Sequence, residues 1–361
     1  MKREAGGVSA PRLERIRRLA HEASAEAAFV THPPHVRWAT GFTGSNALLV
    51  VTGADAHFVT DGRYRDQAAD EVIGATVHVA PGPLADLVAA DGLLGEAACA
   101  LIDAGHTTVA QLDGWRSRFP SVDFLARDGW LAPAVAVKDE ATVEAMRHAQ
   151  AATVRIFEDL LGWIAVGRSE REVAAWLVHA HLSAGASAMS FDPIVASGPR
   201  GALPHARPSS RPLSDGELVV IDVGGVFEGA CSDFTRTIAL GEPGEEARAD
   251  HAAVARAHDA GVAAIRGGVA GADADRAARE ALGERAAFFT HSLGHGVGAE
   301  VHEWPRLSQQ ADHVLPLGAT VTVEPGVYRP GRWGIRTESL VAVRADGAEI
   351  LAPFPTDLIV V

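Results

Sequence analysis

Hydrophobic residues recur with two different periods along the first third of this chain. Up to about residue 130, helical patterns alternate with short apolar stretches such as 47–52 and 57–60, which favour strands. Such an alternation is typical of an α/β layer. The sequence Leu-Ala-Pro-Ala-Val at 131–135 ends the alternation and predicts a crossing into a second domain.

The rest of the chain alternates helices with pairs of strands. A long helix begins near Asp139, whose side chain suits an N-cap. The other predicted helices are 170–183, 246–267 and 272–282, and the predicted strands are 217–223, 230–240, 319–323 and 334–343. Helix pairs that alternate with hairpins indicate an internal pseudo-symmetry. We predict an α/β domain at 1–132 and an α+β domain at 133–361.

Composition narrows the classes of partner. The formal net charge of −14 argues against nucleic acid or an anionic membrane as the main partner. Two cysteines in 361 residues make no disulfide framework, which favours a reducing, cytoplasmic compartment. The basic start, residues 1–4 and then 11–20, lacks the apolar core of a signal peptide and predicts an amphipathic helix. No apolar run approaches the ~20 residues of a membrane span.

Two acids in the first predicted hairpin carry the chemical argument. If the turn centres on 227–228, Asp222 and Asp233 face one another with Cβ atoms roughly 5 Å apart. Opposed carboxylates destabilise a sheet, and a bound cation explains why both are present. The second hairpin repeats the pattern with Glu324 and Glu338, so two acidic hairpins would form one oxygen-rich cage.

A histidine motif lies between the two hairpins. His291-Ser-Leu-Gly-His295-Gly is weak evidence by its spacing alone. The glycines around His295 indicate a backbone that approaches another group closely or adopts positive φ. Each acid taken singly could instead cap a turn or pair with an arginine. Together with His295, they favour a site for divalent metal ions.

These segments resemble the proline-specific branch of the pita-bread metallopeptidases, which includes prolidase (Xaa-Pro dipeptidase) and aminopeptidase P. The motifs that carry the resemblance are Ile221–Gly224, Ser232–Thr237, His291–Gly296, Val301–Glu303, Glu324–Tyr328 and Gly334–Glu338, and in the N-terminal part Val36–Asn46 and Thr60–Tyr64. The resemblance implies a creatinase-like N-terminal domain, a pita-bread catalytic domain and, we expect, a homodimer.

The resemblance also implies roles for individual residues. Asp222 would hold one metal ion, Asp233 and Glu338 would bridge two, and His295 with Glu324 would complete the other. Glu324 would also carry a proton, and His302 would contact the tetrahedral intermediate. His205 and His291 would position the substrate, while Thr235 and Arg336 would orient the ligands. Four carboxylates and one imidazole favour Mn²⁺, with Zn²⁺ and Co²⁺ as alternatives.

One position departs from the family pattern. Ser339 follows Glu338 where the family usually has Asp, which leaves the orientation of Arg336 and Glu338 open. For the proline pocket we expect aromatic side chains, and the candidates are Phe191, Trp304, Tyr328 and Trp333.

The sequence favours small proline-containing peptides as substrates. Arg306 is a candidate clamp for the carboxylate of an Xaa-Pro dipeptide, which narrowly favours a dipeptidase over an aminopeptidase P that accepts longer peptides. Two other readings of the same fold are a metal-independent amidinohydrolase of the creatinase type and a non-catalytic peptide-binding module. Intact candidate ligands argue against both. Methionine aminopeptidase is disfavoured because that branch resembles the C-terminal domain alone.

Overall fold

The structure is a computed structural model that describes residues 9–361. The predicted basic start at 1–4 lies outside the described residues. The chain forms two compact units with their boundary between Val135 and Ala136. Among the described residues, no helix has both the length and the apolarity that a membrane crossing requires.

The first unit is an α/β layer around a six-stranded sheet. Its helices are α1 Ser9–Glu22, α2 Pro33–Thr40, α3 Arg65–Glu71, α4 Leu84–Ala90, α5 Val109–Arg118 and, reaching the unit boundary, α6 Ala132–Ala136. Its strands are β1 Ala27–Val30, β2 Ala47–Thr52, β3 Ala56–Asp61, β4 Thr76–Ala80, β5 Cys99–Asp103 and β6 Asp123–Arg127. The predicted strand at 47–52 is therefore confirmed.

The order of strands in this sheet is β4-β3-β2-β1-β5-β6. β2 runs antiparallel to β1 and β3, whereas β1 and β5 are parallel neighbours. Alternate residues of each strand enter two apolar layers, one on each face of the sheet. Ala28 and Val30 pack with α2 in one layer, whereas Ala27 and Phe29 pack with α5 in the other.

The second unit has four long helices and mostly antiparallel strands. The helices are α7 Glu140–Leu161, α8 Glu170–Ser183, α9 Glu245–Ala264 and α10 Gly271–Leu282. The strands are β7 Ala188–Met189, β8 Ile194–Ser197, β9 Glu217–Val223, β10 Gly225–Phe227, β11 Ala230–Cys231, β12 Phe234–Leu240, β13 Gly294–Gly296, β14 Glu303–Leu307, β15 Thr320–Val323, β16 Gly326–Arg329, β17 Trp333–Arg336, β18 Ser339–Val343, β19 Ala348–Ile350 and β20 Ile359–Val360.

Capping and periodicity explain the helices of this unit. Asp139 caps α7, since its side chain accepts the N–H of Thr142. Ser169 and Glu172 form a capping box at the start of α8. The predicted helix 170–183 matches α8 at both ends. The pair α7 and α8 precedes the sheet β20-β12-β9-β8, and the pair α9 and α10 precedes the sheet β14-β13-β15-β18-β19, which is the predicted alternation.

The register of the first hairpin differs from the prediction. Glu228 and Gly229 both have positive φ, 50° and 83°, and form the two-residue turn, so Phe227 pairs with Ala230. Such a turn needs two left-handed residues, which the Glu-Gly step accommodates better than a turn centred on 227–228. Asp222 therefore pairs with Thr235. The predicted direct opposition of Asp222 and Asp233 is wrong.

Two predicted strands are each broken at an acid. The stretch 230–240 divides into β11 and β12 around Ser232 and Asp233, and the stretch 334–343 divides into β17 and β18 around Thr337 and Glu338. β17 pairs with β16, whereas β18 pairs with β15. The chain therefore changes its strand partner next to Glu338, which a continuous hydrophobic pattern does not reveal.

Candidate metal centre

Five side chains from different strand ends of the second unit converge on one cavity. Asp222 lies in β9, His295 lies in β13, and Glu324 follows β15 directly. Asp233 and Glu338 lie at the two strand breaks. The cavity has a volume of about 480 Å³ and opens to solvent, and all five residues line it.

Three of the five residues bring one ligand atom each into a single cluster. One ligand atom each from Asp233, His295 and Glu338 lies within 4.8 Å of the other two. His295 Nε2 lies 3.7 Å from Asp233 Oδ2 and 3.2 Å from Glu324 Oε1. His295 Nδ1 donates to the carbonyl of Gly296 at 3.1 Å, so that Nε2 faces the carboxylates. This orientation is the one that a metal-ligating imidazole needs.

A network of hydrogen bonds fixes the carboxylates from behind. Thr235 Oγ1 donates to Glu338 Oε2 at 2.7 Å, and Arg336 donates to Asp222 Oδ2 at 2.6 Å. Arg336 Nε also donates to Thr235 Oγ1 at 3.2 Å, which connects the two acids. Ser339 contributes no side-chain hydrogen bond to this network among the described residues. The departure at Ser339 thus leaves both Arg336 and Glu338 oriented by other partners.

Burial and mutual repulsion disfavour charge on three of the acids. Burial raises the pKa of Asp233 well above its usual range, and the carboxylates of Glu338, Asp222 and Glu324 raise it further. Burial likewise raises the pKa of Glu338, with added repulsion from Glu324 and Asp222. For Asp222, burial raises the pKa although the guanidinium of Arg336 opposes the rise. A bound cation would reverse each of these effects.

Glu324 and His295 form the ionised pair of the site. Burial opposes charge on Glu324, but the hydrogen bond and the charge of His295 outweigh it and lower the pKa of Glu324 to about 2. Burial also opposes charge on His295, whereas its bond to Glu324 raises the net pKa of the imidazole. Without a metal, the proton on His295 Nε2 therefore lies between the imidazole and the carboxylate of Glu324, where a metal ion would bind.

The donor set fits divalent metal ions. Asp222 Oδ1 is buried and has no hydrogen-bond partner among residues 9–361, although Oδ2 of the same carboxylate is bonded to Arg336. A buried carboxylate oxygen without a partner costs free energy, which coordination would recover. Four carboxylates and one imidazole form a donor set typical of sites for hard or borderline divalent ions.

The glycine next to His295 allows a close backbone contact. A Cβ atom on Gly294 would lie 2.0 Å from the carbonyl oxygen of Thr322 in the neighbouring strand. Gly294 does not have positive φ. The sequence predicted either positive φ or a close backbone contact at these glycines. At Gly294 the close contact is the reason that applies, and this contact places His295 next to β15.

The other predicted site residues lie around the mouth of the same cavity. His205, His302 and Arg306 line it and are exposed. The ring of His302 lies edge-on to that of His295, with centroids 4.4 Å apart. Burial and the charge of His295 lower the pKa of His302, which favours its neutral form.

His291 also lines the cavity, but both of its ring nitrogens have partners within the protein. Nδ1 donates to the carbonyl of Ser292 at 2.8 Å, and Nε2 accepts from the hydroxyl of Tyr328 at 2.8 Å. Burial lowers the pKa of His291, in agreement with a neutral ring. His291 therefore presents the surface of its ring to the cavity, and its predicted hydrogen bond to the substrate would require it to give up one of these partners.

Of the four expected aromatic residues, Phe191 lines the cavity. Tyr328 is buried behind its wall, where its hydroxyl joins His291 to Arg336. Trp304 packs on the ring of His313, and Trp333 donates to Asp250. The expectation that Trp304 and Trp333 line the pocket is wrong, because both side chains are engaged by these other partners and neither is among the lining residues.

Three residues near the site were missed by sequence reasoning. Gln150 of α7 both donates to and accepts from the backbone of Asp233, at 2.7 and 3.0 Å. Thr322 donates to Glu324 Oε1 and accepts the N–H of His295, at 3.1 Å in both cases. Arg207 is exposed and lines the cavity, as Arg306 does. Gln150 is 83 residues from Asp233, and no local sequence signal connects them.

Comparison with known proteins assigns both units to described families. Residues 144–345 match metallopeptidase family M24, and residues 12–133 match the creatinase/prolidase N-terminal domain. The chain belongs to metallopeptidase family M24. The predicted combination of a creatinase-like domain with a pita-bread catalytic domain is thereby confirmed.

Relatives of similar length support this assignment. The chain is 33% identical over 357 residues to an uncharacterized peptidase, YqhT, of Bacillus subtilis. The matched region covers 97% of this chain and 99% of the relative. A solved Xaa-Pro dipeptidase from Bacillus anthracis superimposes with a TM-score of 0.95 at 33% identity, covering 98% of this chain and all of that one. An X-Pro aminopeptidase from Thermotoga maritima has a TM-score of 0.88 at 32% identity, covering 95% and 100%.

Proposed function

We propose that this protein is a metal-dependent Xaa-Pro dipeptidase that hydrolyses the peptide bond before proline. The observation that carries the proposal is the convergence of Asp222, Asp233, His295, Glu324 and Glu338 in one open cavity with exposed arginines at its mouth. The likeness to the dipeptidase from Bacillus anthracis over the whole chain supports the same class of substrate.

The five converging residues would hold two divalent ions, for which we favour Mn²⁺ because carboxylate oxygens predominate; Zn²⁺ and Co²⁺ are alternatives. When bound, such ions polarise a carbonyl group and activate water at neutral pH. Thr235 and Arg336 keep Glu338 and Asp222 oriented, which pre-organises the site before substrate arrives.

Two side chains supply proton and hydrogen-bond chemistry at the cavity. Glu324 is the nearest carboxylate to His295 Nε2 and would take the proton released by the attacking water and deliver it to the leaving amine. His302 lies beside His295 with its ring exposed to the cavity, and would donate to the oxygen that becomes negative in the tetrahedral intermediate. His205 also lines the cavity and would contact the substrate there.

Specificity for proline has a physical basis in the substrate. The peptide bond before proline has no N–H, so a complementary site needs no acceptor at that position and can surround the ring with apolar groups. Phe191, Pro193, Ile194 and Val301 provide such groups in the lining.

Aminopeptidase P is the alternative, and the likeness to the X-Pro aminopeptidase of Thermotoga maritima favours it. The two activities differ in the group that the substrate carries after proline. A dipeptidase binds a free proline carboxylate, for which Arg306 is our candidate. An aminopeptidase must leave that direction open.

A non-catalytic peptide-binding module is the alternative from another class of protein, and turnover of any proline peptide excludes it.

The test measures kcat/KM for Xaa-Pro, Xaa-Pro-Yaa and longer peptides. Arg306→Ala should cost ~1.5 to 3 kcal/mol on the dipeptide and little on longer substrates, because only the dipeptide has its carboxylate at that position. Arg207→Ala is the matched control, since Arg207 is also an exposed arginine of the cavity. A wild type that prefers tripeptides, with Arg306→Ala indifferent to length, would transfer the assignment to aminopeptidase P. A loss confined to Arg207→Ala would move the clamp to that residue.

We also propose a cytoplasmic location, in agreement with the low cysteine content of two in 361 residues. Homodimer formation stays a prediction, which sedimentation analysis of the purified protein would test.

A further inference from the structure

A second group of metal-ligating side chains lies in the first unit, far along the chain from the residues of the catalytic centre. Ring nitrogens of His32, His35 and His106, one from each, lie within 4.8 Å of one another. The rings of His32 and His106 are stacked with centroids 3.6 Å apart and an angle of 12°. His35 lies edge-on to both, at 4.7 and 5.4 Å.

The topology of the sheet places these histidines at a position suited to ligands. His32 follows the end of β1, and His106 follows the end of its parallel neighbour β5. After β1 the chain continues through α2 on one face of the sheet, whereas after β5 it continues through α5 on the other face. Adjacent parallel strands whose connections leave to opposite sides open a crevice at their carboxyl ends, where α/β proteins bind ligands.

The segments that carry the histidines are rigid. Pro33 and Pro34 occupy the first positions of α2, between His32 and His35, and fix the backbone there. His32 stands at the N-cap position, directly before the two prolines. Residues three apart at a helix start lie on one side, so the backbone holds both imidazoles toward the same crevice.

An acid of the crevice provides a second, independent observation. Asp103 ends β5 and is 8% exposed. Its Oδ1 accepts the N–H groups of Gly105 and Gly129, at 3.0 and 3.2 Å, and so shapes the turn that carries His106. Its Oδ2 is buried and has no hydrogen-bond partner within the described part of the chain. The three histidines and Asp103 line one small cavity.

We propose that His32, His35 and His106 form a second metal site, which takes a borderline divalent cation of the Zn²⁺ type. Three neutral imidazoles suit Zn²⁺, Cu²⁺ or Ni²⁺ better than Mn²⁺, which prefers oxygen ligands. The Asp103 carboxylate supplies negative charge, and its Oδ2 would accept the N–H of a ligating imidazole once the ion is bound, as acids next to zinc-bound histidines do. The stacked rings of His32 and His106 must turn apart so that both can direct a nitrogen at one ion. This movement requires only side-chain rotation, which the exposed His106 allows.

The site would act independently of peptide hydrolysis, because its residues belong to the first unit, whereas the residues that line the catalytic cavity belong to the second. A bound ion would crosslink the connection after β1 to the connection after β5. We therefore assign it a structural role, in which the ion stabilises the first unit against unfolding.

The experiment compares Zn²⁺ binding by full-length, metal-depleted wild type, His106→Ala and His21→Ala. His21 is an exposed histidine of the same unit outside the cluster and serves as the matched control. The proteins are dialysed to equilibrium against Zn²⁺, and their metal content is measured by elemental analysis. Wild type and His21→Ala should each hold one Zn²⁺ per chain more than His106→Ala does. Zn²⁺ should also raise the thermal midpoint of the wild type more than that of His106→Ala.

Asp103→Asn adds a graded variant, for which Zn²⁺ affinity at this site should fall by about 10- to 100-fold. Peptidase activity of Mn²⁺-loaded His106→Ala should equal that of the wild type, which separates this proposal from the proposed function. Equal Zn²⁺ content in wild type and His106→Ala, at saturating and at stoichiometric Zn²⁺, would overturn the second site. So would loss of the extra ion in His21→Ala alone.

Discussion

His295 and His302 are neighbours with different surroundings, and the difference assigns them different tasks. Their ring centroids lie 4.4 Å apart, yet His295 is 7% exposed whereas His302 is exposed to the cavity. Nε2 of His295 faces carboxylates, which is the position of a ligand. No carboxylate of the site is bonded to His302, among the hydrogen bonds of the described residues, which leaves its ring available to a substrate.

Alanine substitution should separate these two tasks. His302→Ala should retain metal while kcat falls by roughly 10²-fold or more, the scale expected when one donor to a developing oxyanion is removed. His295→Ala should lose metal, because it removes the imidazole from the ligand set. Metal content by elemental analysis, together with kcat on Xaa-Pro, checks both. Equal metal loss in the two variants, or an unchanged kcat in His302→Ala, would contradict the assignment.

At the scale of elements, α9 carries a buried titratable side chain. His251 is 2% exposed, and its Nε2 has no partner in the part of the chain that the structure describes. Burial lowers the pKa of His251 from 6.5 to about 4. The helix therefore requires a neutral imidazole in the folded state.

Acid should destabilise the protein through this residue. The folded-state pKa lies below the unfolded value, so the stability is fully present above pH 6.5 and is lost as pH falls toward about 4. The full effect is roughly 3 kcal/mol, of which roughly 2 kcal/mol is lost by pH 5. Urea unfolding at pH 7.5 and pH 5 should show a smaller difference for His251→Asn, which keeps an N–H donor, than for wild type.

His179→Asn is the control for this measurement, because His179 is exposed on α8. It should keep the pH difference of the wild type. A His251→Asn variant with the same pH difference as His179→Asn would show that burial of His251 does not limit stability in acid.

For the whole molecule, the crowding of buried acids makes folding and metal binding interdependent. Asp222 and Asp233 come from one hairpin and Glu338 from a segment about 100 residues further along the chain. Each of the three has a raised pKa, because burial and neighbouring carboxylates disfavour its charge. Folding of the second unit therefore brings like charges together, which lowers the free energy of unfolding. A ligand that binds only the folded state offsets such a cost.

Chelation should accordingly remove activity and lower thermal stability together. We expect about two Mn²⁺ ions per chain in protein loaded with Mn²⁺, and a lower thermal midpoint after a chelator has removed them. Elemental analysis, peptidase assay and calorimetry before and after chelation measure all three. Full turnover by a stringently metal-free preparation would refute the mechanism, whereas return of activity and midpoint on adding Mn²⁺ would support it.

The sequence by itself determined the family, the fold class and most elements, because these depend on local patterns. Short apolar stretches predicted β2 and β9, and the cap at Asp139 predicted the start of α7. Motifs also identified the four acids and the histidine that line one cavity. A charged residue within an apolar strand pattern is visible in the local sequence. Because burial disfavours its charge, such a residue predicts a bound cation without knowledge of distant contacts.

The tertiary structure decided what depends on distant partners. The Glu228-Gly229 turn set the register that placed Asp222 opposite Thr235. The change of strand partner next to Glu338 turned that carboxylate toward the cavity, and Gln150 fixed the backbone of Asp233 from a helix 83 residues away. His32, His35 and His106 came together only because β1 and β5 are neighbours in the sheet. Contacts of this kind depend on packing between elements, and no pattern within either segment encodes them.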